Sequence, residues 1–134
     1  MLDGGSRHRA RERALELLYE AFIKDRPVGV IIASLPVAPD AYASAIARAA
    51  EDRRDVSDER ISRHLREWSL DRLAVVDRLI MELALGELSM DGSPPRAVVL
   101  DEAVELAHEF STEGSARFVN GVLSACLEEA PSPE

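Results

Sequence analysis

Four arginines crowd into seven positions near the start of the chain: Arg7, Arg9, Arg11 and Arg13, within "SRHRARERALELLYEAF" (Ser6 to Phe22). The segment has helical periodicity, and a helix N-terminus carries partial positive charge. Each cation placed there is unfavourable by about 0.3–1 kcal/mol. A guanidinium presents a flat fork of donors that matches a phosphate, so a bound anion would account for the placement. A solvated basic end with no partner is the competing reading. Projected at about 100° per residue, Arg7 and Arg11 share the side of Leu18 and Phe22, with His8 and Tyr19 on its flank. Arg9 and Arg13 face the other way, where Glu16 and Glu20 partly neutralise Arg13. Arg7, Arg11 and His8 are therefore expected to be the least compensated.

No other set of residues has catalytic spacing. His8, His64 and His108 stand at no metal-ligand interval from one another, and the single Cys126 lies on an apolar stripe. There is no Gly-rich phosphate loop. A nucleophile, base and orienting group at compatible positions are not found, so the chain reads as a non-enzyme without cofactor or metal. Phe118, in "RFVNG", is either core or a platform on which a base of single-stranded RNA can stack. Gly121 within a helical pattern costs about 1 kcal/mol against Ala, and a close helix–helix approach is the expected reason. Trp68 reads as a core plug at a helix junction.

The elements that must position these groups are all helical. The chain has 134 residues, 46% hydrophobic and 31% charged, with a net charge of −9. That composition fits one globular domain over 1–134, with 1–6 and the "PSPE" end, 130–134, expected to be flexible. The acidic total argues against adhesion to nucleic acid over the whole surface. Yet residues 1–13 hold four Arg against Asp3 and Glu12, a basic spot on an acidic body. No apolar run is long enough to span a bilayer and no signal segment is apparent, which makes the cytoplasm the default location. Apolar residues recur at i, i+3, i+4 and i+7 almost throughout. Helices are predicted over 7–24, 28–34, 40–52, 58–67 (capped by Ser57), 73–90, from Pro95 to 110, and from the "STEGS" turn to about 127. About seven helices on short connections make an all-α bundle.

Several stretches together resemble the NusB family of bacterial transcription antitermination factors. They are "RHRARERALELLYE" at Arg7, "WSLDRLAVVDR" at Trp68, "LALGEL" at Leu83 and "AVVLDEAVELAHEFSTEGSARFVNGVL" at Ala97. The resemblance implies two packed three-helix sub-bundles with a short extra helix. It also implies binding to boxA-type single-stranded RNA of ribosomal operon leaders, jointly with NusE, a small-subunit ribosomal protein, within the RNA polymerase antitermination complex. Some family members are homodimers.

Carried over residue by residue, the family's RNA-binding positions fall on Arg7, His8, Arg9, Arg11, Tyr19 and Phe118. Its NusE-facing acids fall on Asp77 and Glu87. His8 replaces a usual Arg, Gly114 a usual Asp, Glu82 a usual Arg, Gly86 a bulky residue, Ser124 an Asp and Asp101 an Asn. Glu82 and Gly86 bear on the NusE interface, and Gly114 on RNA affinity. Related RNA methyltransferases carry a similar domain, but this chain has neither their catalytic domain nor their cysteine pair and reads as the stand-alone form. The alternative is a helical protein–protein adaptor or homodimer that has drifted from RNA binding.

Overall fold

The structure, a computed structural model, describes residues 4–66 and 69–129. Trp68 and the expected flexible residues 1–3 and 130–134 lie outside the described residues. Seven α-helices follow one another: α1 (Gly4–Lys24), α2 (Val28–Ala33), α3 (Ala41–Asp52), α4 (Arg54–Ser62), α5 (Val75–Leu88), α6 (Arg96–Phe110) and α7 (Glu113–Glu128). A short 3-10 turn, Leu70–Arg72, precedes α5. There is no strand among the described residues, and no helix there is long and apolar enough to cross a membrane.

Local chemistry sets the boundaries. Asp25 takes φ 52 and ends α1 in a left-handed turn. Arg26 N–H donates to Ala21 O at 3.0 Å and Asp25 N–H to Phe22 O at 3.2 Å, the paired bonds that close a helix C-terminus. The Asp40 carboxylate accepts from Tyr42 N and Ala43 N and so caps α3. Thr112 caps α7 by accepting from Ser115 N at 3.1 Å. The expected Ser57 cap is corrected: α4 starts at Arg54, one residue after α3, and Ser57 is buried within it. Arg60 and Arg96 donate to Cys126 O and Leu127 O at 2.6 and 2.8 Å, placing cations on the carbonyl end of α7.

Helices α1 to α3 pack on one side of α5, and α4, α6 and α7 on the other. Helix α5 is apolar nearly all round and buried over most of its length, as a central helix must be. Gly86 lets it approach α3: a Cβ there would sit 2.6 Å from the backbone of Ala50. The close approach expected at Gly121 is therefore found at Gly86 instead. A Cβ at Gly121 would meet nothing within 4 Å.

Three acids of α5 are buried, Asp77, Glu82 and Glu87. They stand five residues apart, so each points about 140° from the last and grips a different neighbour. Asp77 accepts from Ser111 Oγ and Ser115 Oγ, both at 2.8 Å, and so holds the α6–α7 turn. Glu82 accepts from Arg54 and Arg78, both at 3.1 Å. Glu87 takes Arg11 from α1 and the Tyr42 hydroxyl from α3.

Candidate nucleic-acid interface

The N-terminal arginines meet four different environments. Arg7 lies over the Tyr42 ring, 4.3 Å from its centroid, and donates to the Tyr42 hydroxyl at 3.3 Å. Arg9 is exposed and has no ion pair or hydrogen bond among the described residues. Arg13 pairs with Glu16 at 3.2 Å on the surface. Arg11 is buried, with Nε on Glu87 Oε1 at 2.8 Å and Nη2 on Glu87 Oε2 at 2.7 Å.

Three expectations are corrected by this packing. Arg11 is the most compensated of the four arginines, because its fork of donors is taken up by Glu87 inside the bundle. Glu87, 1% exposed, faces α1 and α3 rather than a protein partner. Asp77, 6% exposed, is turned to Ser111 and Ser115. The departures at Glu82 and Gly86 likewise belong to interior packing. Burial lifts the Glu82 carboxyl to about 8; the adjacent Asp58 pushes the same way, and Arg54 and Arg78 pull against it.

His8 sits among carboxylates. Its Nδ1 lies 2.7 Å from Glu102 Oε2, and its Nε2 lies 2.6 Å from Glu109 Oε1 and 3.9 Å from Glu12 Oε2. The Glu102 hydrogen bond, with help from Glu109, raises the imidazole above its ordinary value against the opposing effect of burial. Glu12 is raised as well, chiefly by its hydrogen bond with Glu109. Histidine spacing alone gave no metal-ligating set, yet the structure brings His8, Glu12 and Glu109 together across α1 and α6. The i,i+4 pair His8–Glu12 was the local signal; Glu109 is 101 residues from His8 and carried none.

The two aromatic candidates lie in separate grooves. Tyr19, 43% exposed, joins Leu15, Ile23, Val76 and Phe110 in an apolar groove of about 460 Å³, with Glu16, Glu20 and Lys24 at its rim. Phe118 is half-buried, with part of its ring against the core. The remainder lines an open groove of about 690 Å³ with Arg63, His64, Arg66 and Arg117. None of the described lining residues comes from α1, so Phe118 stands with this second basic cluster and not beside Arg7. Arg63 is held by Glu129 and Glu59 at 3.0 and 3.1 Å. Hydrogen bonds from Arg63 and His64 hold the Glu129 carboxyl down at about 2. Arg66 and Arg117 are exposed without partners among the described residues. Sequence reasoning passed over these two because neither sits in a dense run. Phe118 and Arg117 are adjacent in "RFVNG", and that was the available signal. Cys126 is fully buried, which pushes its thiol up and away from reactivity.

Known proteins share this architecture. The NusB family model matches residues 8–128. The transcription antitermination protein NusB of Oceanobacillus iheyensis is 36% identical over 124 residues, covering 91% of this chain and 98% of that protein. The structure of T. maritima NusB superposes with a TM-score of 0.78 at 36% identity, over 93% of each chain. A crystal structure of the antitermination factors NusB and NusE in complex with dsRNA matches with a TM-score of 0.74. Its identity is 29%, over 90% of this chain and 96% of that one.

Proposed function

The chain belongs to the NusB family, and on that premise we propose that it is a transcription antitermination factor. In this reading it binds boxA-type single-stranded RNA of ribosomal operon leaders together with NusE, in the cytoplasm, as part of the RNA polymerase antitermination complex. It acts by binding and performs no catalysis of its own.

The groove around Phe118 carries the reading. An aromatic ring with two exposed guanidiniums beside it, Arg66 and Arg117, which have no partner among the described residues, combines base stacking with phosphate attraction, the two terms single-stranded RNA binding uses. Exposed Arg9, with Arg7 on Tyr42, makes a separate basic surface on α1. Tyr19 adds an exposed ring on the same helix, and His8, its charge answered by Glu102 and Glu109, adds no free cation. Arg11 supports this surface from within, by fixing α1 to α5. The apolar groove with Tyr19, Ile23 and Phe110 suits a protein partner, for which we propose NusE.

The same apolar groove favours a second reading, a homodimer that uses it to bury Ile23 and Phe110, which are 61% and 41% exposed. A titration of labelled boxA-type RNA into the chain, with and without NusE and over a range of salt, decides between them. The RNA reading expects binding tightened by NusE and weakened by salt, with a logarithmic slope near −0.7 per phosphate neutralised. The double variant R66A/R117A should reduce that slope. No binding in either condition, together with a dimer in sedimentation, would leave the second reading.

A further inference from the structure

We propose that His8 Nε2 and the carboxylates of Glu12 and Glu109 form a binding site for one divalent transition-metal ion of the zinc class. Glu102 is the residue that orients the histidine. The three ligand atoms already lie within 4.8 Å of one another. Zinc–nitrogen and zinc–oxygen bonds of about 2.0–2.2 Å place tetrahedral ligand atoms roughly 3.4 Å apart. The Nε2–Glu109 separation of 2.6 Å needs to open and the Nε2–Glu12 separation of 3.9 Å to close. Both changes need only rotation of the Glu12 and Glu109 side chains, which are 30% and 33% exposed.

The arrangement around the histidine is the stronger observation. Glu102 takes Nδ1 at 2.7 Å, which directs Nε2 toward the two remaining carboxylates, the arrangement that fixes a metal-binding imidazole. Glu102 is itself held: Arg11 Nη1 lies 3.6 Å from it, and Arg11 is locked on buried Glu87. A chain of charged contacts thus runs from the centre of the bundle to the ligand ring. Two rigid helices supply the ligands, His8 and Glu12 one turn apart on α1 and Glu109 at the end of α6. One imidazole with two carboxylates favours zinc, cobalt or nickel over magnesium, which prefers an all-oxygen shell.

The test uses the untagged full-length chain, stripped with a chelator. Zinc chloride is titrated by calorimetry, and cobalt chloride is followed by its visible spectrum. One ion per chain is expected, with cobalt giving a low-coordinate spectrum and magnesium failing to displace zinc at equal concentration. H8Q and E109Q should each lower zinc affinity at least tenfold, and E102Q about tenfold with stoichiometry kept. H64Q and H108Q should bind as the parent does. Should H8Q lose its helical circular dichroism, E109Q, at an exposed residue, carries the test. Failure of the folded parent to take up one equivalent overturns the site, as does binding unchanged in the ligand variants or displacement by magnesium.

Discussion

Arg11 and Glu87 form a two-point ion pair inside the bundle, at 2.8 and 2.7 Å, joining helices 76 residues apart in sequence. The pair fixes the pitch of the Arg-rich end of α1 over α5. Its worth lies in completeness, because removing Arg11 leaves the buried Glu87 carboxylate with only the Tyr42 hydroxyl, a neutral donor, to answer its charge.

Arg11→Ala should therefore destabilise the fold by about 3–5 kcal/mol, read from denaturant melts. Arg9→Ala should leave stability within about 0.5 kcal/mol of the parent. Equal stability of R11A and R9A would mean that the Arg11–Glu87 pair is not formed in solution.

At the other end of α5, Asp77→Ala removes the acceptor shared by Ser111 and Ser115. A loss of about 1–3 kcal/mol is expected, with amide exchange accelerating first in the α6–α7 turn. Asp77→Lys should be worse, since a cation is forced into a site 6% exposed. A stable D77K variant that fails only to associate with NusE would return Asp77 to the partner surface.

Glu82 makes stability depend on pH. Its carboxyl is held at about 8 in the folded chain against 4.5 ordinarily. Between those values the unfolded chain has lost this proton while the folded chain keeps it. Stability from this group is therefore present at low pH, falls as pH rises through the window, and stops changing above about 8. Glu82→Gln should flatten that fall relative to the parent, measured as melting temperature against pH. Parallel curves for the two proteins would show that Glu82 is ionised throughout.

Two glycines should respond in opposite directions. Gly86→Ala drives a Cβ to within 2.6 Å of the Ala50 backbone, and the forced separation of α3 from α5 should cost about 1–3 kcal/mol. Gly121→Ala meets open space on a helix and should gain about 0.5–1 kcal/mol. Thermal melts of both variants check the pair, and a loss at Gly121 would show an unseen contact.

The all-helical architecture, most helix boundaries and the family were legible in the sequence, because apolar periodicity and capping act within a few residues of chain. Leu18, Ile46, Leu83 and Leu123 announce their burial through their neighbours at i+3 and i+4. The fate of the charges was not legible. Arg11 and Arg9 look alike in "RHRARER", yet Arg11 is buried on Glu87 and Arg9 is exposed, a difference set by how α1 crosses α5. Asp77 and Glu87 match acids at partner-facing positions of the family, and only packing turns them inward. Gly86 and Gly121 are equally odd in a helix, and the one that matters is decided by where Ala50 comes to rest. The joining of His8 to Glu109 across 101 residues has the same origin. Local order is written in nearest-neighbour pattern, whereas the pairing of charges depends on distances that exist only once the helices have packed.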